Sequence, residues 1–152
     1  MIMTQKQKQE QKELLLKDLC GRLPYGVKAY VRHWSKLSQK YYEDIYVVES
    51  VFPSLNMIHV QTETSSIDVL LGYSDYTIKP YLFPLSSMTE EQYKEYNSII
   101  YHDVELHWER YYNVIDVDCY EELHDFYNKN HFDYRGLIPM GLAEDATGLN
   151  IY

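Results

Sequence analysis

The sequence predicts an α+β domain in which an antiparallel sheet of about four to five strands is covered by about three helices. Three observations carry this. Short β-branched and aromatic segments follow one another from Tyr25 to Leu71, and helical periodicity flanks them on both sides. Neither an internal repeat nor a Pro/Gly/Ser-rich linker divides the chain, so its 152 residues read as one domain, 1–152. A domain of this length buries roughly 68–70% of the surface its unfolded chain exposes, enough to fold without a metal or disulfide staple.

The elements follow in order. Residues 4–13 are almost entirely Gln, Lys and Glu, so residues 1–12 read as a polar helical extension or frayed terminus. Leu15, Leu16, Leu19 and Leu23 then fall at helical spacing, and Gly21 and Pro24 stop the helix near Gly21–Arg22. From Tyr25 the period becomes two, with Tyr25, Val27, Ala29 and Val31 on one face of a half-buried strand. Lys36 to Lys40 reads as a turn. Asp44–Phe52 and Asn56–Thr62, joined through Pro53-Ser54-Leu55, form a predicted hairpin. Ile67–Leu71 is a further short strand, closed by a turn over Gly72–Asp75. Ile78–Leu85 is extended, but Pro80 and Pro84 cannot donate ladder hydrogen bonds, which assigns it to an edge or a loop.

Thr89 and Gln92 form a capping box, Met88 and Tyr93 a hydrophobic staple, and Glu90 and Glu91 favour the helix dipole. A helix with Tyr93, Tyr96 and Ile100 on one face follows. Residues 101–117 fit strand or helix equally. Asp118 with Glu121 reads as a second N-cap, opening a helix with Cys119, Leu123, Phe126, Tyr127 and Asn130 along one face. Gly136 and Pro139 break the chain after it, and the tail to Tyr152 is short and acidic.

Composition excludes several functional classes. Apolar residues make up 45% and charged residues 24%, which excludes wholesale disorder. No apolar run approaches the roughly 18 residues of a membrane span, so no membrane partner is expected. Gln and Lys occupy the N-terminal stretch where a secretory signal needs an apolar core, so a cytoplasmic location is expected. Cys20 and Cys119 have no metal-type spacing and read as buried thiols.

Charge is unevenly placed. Residues 1–40 hold nine Lys/Arg against three Asp/Glu, a balance of +6, and residues 41–152 hold five against twenty, a balance of −15. An acidic body repels phosphates, which disfavours direct nucleic-acid binding except through the basic N-terminal helix. That segment could equally lie against the acidic body of its own chain.

Several constellations are candidates for chemistry. On a strand, Asp103, Glu105, His107 and Glu109 would share one face and offer weak ligands for a divalent cation. The plainer reading is a solvated strand face, and no metal or other cofactor is assigned. Asp116 and Asp118 also share a face if extended, though Asp118 already serves as a cap. His131, Asp133, Tyr134 and Arg135 follow a helix exit, where they could grip a phosphate or act as acid and base, or simply form a structural elbow anchored by Phe132. This segment is the predicted binding site, together with the paired Tyr111 and Tyr112. Cys20 sits at a helix C-terminus, where the dipole opposes a thiolate. No phosphate loop, nucleophile elbow, H-E-x-x-H or C-x-x-C is present, and no catalytic residue is assigned. Tyrosine is abundant at 17 residues, among them Tyr41, Tyr42, Tyr73, Tyr76 and Tyr81, and suits either an amphipathic core rim or a protein-binding surface.

Three blocks, LLLKDLCGRLPYGV (14–27), IKPYLFPLSSMTEEQYKEY (78–96) and HFDYRGLIPMGLAEDA (131–146), cover about a third of the chain. In combination and order they resemble a family of small proteins from gut Bacteroidales genomes and their phages. The resemblance implies a mobile-element setting and no mechanism. The leading expectation is therefore a non-enzymatic interaction protein that binds a protein partner through an acidic, Tyr-rich surface. The alternatives are an acidic DNA mimic that occupies a nucleic-acid-binding protein, and a nucleotide-type ligand module or hydrolase using Arg135 or Arg110 for phosphate.

Overall fold

A computed structural model describes residues 2–101 and 117–152. The chain runs through α1 (Gln5–Arg22), β1 (Lys28–Ser35), β2 (Lys40–Phe52), β3 (Met57–Gln61), β4 (Ser66–Leu70), β5 (Tyr76–Leu82), α2 (Glu90–Tyr101), α3 (Val117–Lys129) and β6 (Glu144–Asp145). The strands form one six-stranded sheet in the order β4-β3-β2-β1-β5-β6. Every pairing is antiparallel except the last, where Tyr81 and Leu82 lie parallel to Glu144 and Asp145. The α+β class is as the sequence predicts. The sheet is one strand larger, because the tail adds a two-residue strand too short to show any periodicity.

Strand alternation divides the sheet into two faces. The inner face presents Ala29, Val31, Tyr46, Val48, Ile58, Val60, Val69, Ile78 and Leu82, which pack with Leu15, Leu16 and Leu19 of α1 in a single core. Burying each such aliphatic side chain contributes about 1.5–3 kcal/mol. The alternation slips between Val48 and Ser50, where a bulge at Glu49 lets Val51 as well as Val48 turn inward. Helix α3 contacts α1, and α2 packs on α3. Among the described residues, the helical layer thus lies on one face of the sheet.

Local chemistry explains the helix starts. Thr4 Oγ1 accepts from Gln7 N at 3.2 Å and Gln7 Oε1 accepts from Thr4 N at 2.8 Å, so even the polar end of α1 is capped. Thr89 and Gln92 repeat this arrangement at 3.2 and 2.9 Å, as predicted for α2. No helix among the described residues is long and apolar enough to cross a membrane.

Several expectations need correction. The first strand begins at Lys28, not Tyr25, because Leu23–Tyr25 forms a 3₁₀ turn closed by Gly26 at φ 64°. The segment at Ile78 is an inner strand by order, yet over Tyr76–Pro80 only β1 pairs with it, and that gap accommodates Pro80. Cys20 is exposed, not buried, because it faces away from the Leu15–Leu19 stripe. Asp118 falls inside α3, which already includes Val117, so it is not the residue before the helix. Among the described residues, the cations of residues 1–40 make two ion pairs, Lys6 with Glu10 at 3.8 Å and Arg22 with Asp18 at 2.7 Å, both within α1, and none with a carboxylate of residues 41–152.

Candidate functional site

The predicted segment after α3 does form a tight elbow, and α1 supplies its other half. Asp18 and Arg22 are one helical turn apart on the Leu15–Leu19 face, and both side chains are 0% exposed. Arg22 donates from Nε to Asp18 Oδ2 at 2.7 Å and from Nη2 to Asp18 Oδ1 at 3.1 Å and to the Phe132 carbonyl at 2.7 Å. Arg135 brings its Nε to 3.3 Å from Asp18 Oδ1. One buried carboxylate therefore holds two guanidinium groups, one from each side of the joint. Both cations also approach the ring of Tyr134, at 5.4 Å for Arg22 and 4.9 Å for Arg135.

Among the remaining groups of the elbow, Asp133 is engaged by the backbone, while His131 Nδ1 and Arg135 Nε are buried without a hydrogen-bond partner among the described residues. Asp133 accepts from Leu137 N and Ile138 N, each at 2.8 Å, and so caps the following turn with both oxygens. Phe132 is 1% exposed and anchors the elbow to the core. His131 sits at φ 58° and stacks on Tyr152 with centroids 3.7 Å apart. Burial, with the Arg22 and Lys28 cations nearby, pushes its imidazole down to about 4, so it is uncharged at neutral pH. The Tyr152 hydroxyl accepts from Lys28 N at 2.9 Å and donates to the Tyr81 carbonyl at 2.8 Å, tying the tail to β1 and β5. Burial drives that hydroxyl up to about 12.

His131, Asp133, Tyr134 and Arg135 are therefore brought together, each with contacts inside the elbow. The histidine is uncharged at neutral pH, and each aspartate oxygen already accepts one backbone hydrogen bond. Tyr111, Tyr112 and Arg110 lie outside the described residues, as do Asp103, Glu105, His107, Glu109 and Asp116. Among the described residues no group of three or more His, Cys, Asp or Glu could hold a metal ion.

A second region has the opposite character. Lys40 to Ile45, the first six residues of β2, are all exposed, and among the described residues no helix covers them. On the outer face Trp34 pairs with Tyr41, Arg32 with Glu43 and Tyr30 with Ile45. The Trp34 and Tyr41 rings meet edge to face at 4.8 Å, and the Arg32 guanidinium lies 3.9 Å from the Tyr41 centroid. On the inner side His33 stacks on Tyr42 at 5.8 Å, beside a depression of about 520 Å³ lined also by Leu37, Asp44 and Ser65. Leu37 at the tip is fully exposed, and Tyr41, Tyr42 and Ile45 are each between 42% and 48% exposed.

Four outer-face carboxylates are engaged within the sheet. Tyr30 donates to Glu43 at 2.7 Å, Lys79 pairs with Glu144 at 3.1 Å, His59 with Asp68 at 2.7 Å, and Gln61 donates to Glu49 at 2.6 Å. What this face offers a partner is chiefly its aromatic and aliphatic surface.

Sequence reasoning singled out Tyr41 and Tyr42 but not Arg32, Trp34, Asp18, Arg22 or Tyr152. The buried pair had a visible signal: Asp18 and Arg22 are charged residues at i, i+4 inside an apolar stripe. For the hairpin arm the tyrosine pair was the signal, but its exposure is a tertiary fact. Comparison of the chain with protein-family models, with curated proteins and with solved structures finds no match in any of the three.

Proposed function

We propose that this protein is a non-enzymatic interaction module that docks a protein partner on the arm of its β1–β2 hairpin. The observation that carries the reading is the run of exposed residues Lys40–Ile45, which displays Tyr41, Tyr42 and Ile45 next to Trp34, Arg32 and Leu37. Trp, Tyr and Arg are the residues that most often dominate binding energy when a partner excludes water from them. Leaving them uncovered forgoes burial worth about 25 cal/mol per Å² of apolar surface. The arm is tyrosine-rich but not acidic: Arg32, Lys36 and Lys40 stand against Glu43 and Asp44. Because the outer-face carboxylates Glu43, Glu49, Asp68 and Glu144 are each engaged by a neighbour, docking through the aromatic arm is favoured over DNA mimicry through this face. The resemblance to Bacteroidales and phage proteins gives the proposal its mobile-element setting, and the Gln- and Lys-rich N-terminal stretch its cytoplasmic one.

The test places a photo-crosslinking amino acid at Tyr41, at Ile45 and, as a control, at Lys17 on the exposed side of α1. The reading expects the same nuclease-resistant protein adduct from the two arm positions and not from Lys17. Tyr41→Ala should weaken that complex by about 2 kcal/mol, roughly 30-fold. Adducts from Lys17 alone, or none from the arm, would sink the proposal.

A further inference from the structure

We propose that a separate groove, between the Leu85–Ser87 turn, α2 and α3, binds an alkylated ammonium cation such as a trimethylammonium group. The groove encloses about 510 Å³ and is lined by Leu85, Met88, Glu90, Tyr93, Tyr96 and Tyr127. Tyr93 and Tyr96 stand 6.1 Å apart with planes 24° from parallel, and Tyr96 and Tyr127 stand 6.4 Å apart at 35°. Three rings from two helices are thus held along one wall. The face of an aromatic ring is its negative side, and several rings together select a cation whose charge is spread over methyl groups. Leu85 and Met88 offer those methyls an apolar contact that a bare, strongly hydrated ammonium could not use.

Charge around the groove has the complementary sign. Helices α2 and α3 carry seven Asp/Glu against two Lys. Both lysines are already engaged, Lys129 with Glu95 at 2.9 Å and Lys94 with Glu90 at 3.7 Å. Glu90 and Glu91 place carboxylates in the first turn of α2 and counter its N-terminal dipole, and Glu90 itself lines the groove. The Glu90–Lys94 pair is exposed, so it opposes an arriving cation only weakly. Among the described residues lining the groove none is basic, which makes an anionic ligand a poor fit. Burial and the neighbouring Tyr96 hydroxyl hold the Tyr127 phenol up at about 12, so the wall stays uncharged across the physiological range.

The experiment titrates the full chain with choline and with its neutral isostere 3,3-dimethylbutan-1-ol, following the Met88 methyl resonance by NMR. The proposal expects saturable shifts with choline and at least about tenfold weaker binding of the isostere. Tyr93→Phe, which keeps the ring, should hold choline affinity within about twofold. Tyr93→Ala should lower it by about fivefold or more, and because Tyr93 is 56% exposed its removal leaves the fold intact. A parallel titration with N-acetyl-trimethyllysine amide assigns the source: tighter binding than choline points to a modified peptide, weaker binding to a free head group. Equal affinity for choline and the isostere, or an unsaturated response that Tyr93→Ala leaves unchanged, would overturn the proposal.

Discussion

The elbow and the hairpin arm use the same residue types to opposite ends. In the elbow Arg22 is fully buried, is fixed by Asp18 and the Phe132 carbonyl, and lies near Tyr134. On the arm Arg32 is exposed and rests on Tyr41, with no carboxylate bound to it among the described residues. Burial separates the two. A desolvated guanidinium must be paired, and the groups that pair with it are lost to any other use. An exposed one costs little to leave on a ring and keeps its donors for a partner. The difference teaches that a concentration of polar residues in sequence is a poor guide to a site, since it marks structural joints equally well.

The sharpest way to break this comparison is to remove one member of the buried pair. Arg22→Ala leaves Asp18 with only the imperfectly aligned Arg135 and frees the Phe132 carbonyl, and should cost about 3–5 kcal/mol in chemical denaturation. Part of that is offset because Arg22 Nη1 has no hydrogen-bond partner among the described residues. A loss under about 1 kcal/mol would mean that the elbow is held by Phe132 and Asp133 alone.

Next in size is a pH effect. The imidazole of His131 titrates at about 4 in the fold against 6.5 as its ordinary value. The unfolded chain therefore takes up the proton first as pH falls, and stability declines from about pH 6.5 down to about pH 4, then levels off. The contribution is at most about 3 kcal/mol, from 1.36 kcal/mol per pKa unit. His131→Asn tolerates the positive φ and should flatten the curve over that window. Denaturation curves whose pH dependence is the same in both proteins would count against a buried neutral His131.

The smallest effect sharpens the comparison from the other side. Arg32→Ala removes only an exposed contact with Tyr41, worth about 0.5–1 kcal/mol, and should shift the melting temperature by no more than a few degrees. Its expected consequence is weaker partner capture by the arm. A stability loss approaching that of Arg22→Ala would show Arg32 to be part of the scaffold.

Much of this was legible in the chain. Thr89 with Gln92, the Leu15–Leu19 stripe, the turn at Lys36–Lys40 and the strands beginning at Asp44 and Asn56 are local signals, and each element forms where they place it, within a few residues. The Tyr25 start failed because Gly26 takes a left-handed conformation that alternation does not register. The edge assignment at Ile78 was half right: Pro80 does need an unpaired side, and strand order alone decides where that side is. Within the site the elbow was visible as a cluster, but Asp18 and Arg22, more than a hundred residues away, were not.

By itself the sequence determined the α+β class, the helix caps and the inward stripe of each strand, because backbone sterics, hydrogen-bond capping and side-chain period act over a few residues. Only the tertiary structure decided that Asp133 would cap a turn, that His131 would be uncharged at neutral pH, and that Tyr41 would stand exposed beside a half-buried Trp34. Those outcomes depend on how much water each group keeps. That is set by which distant element packs over it: α1 covers the elbow, and among the described residues no helix covers the arm.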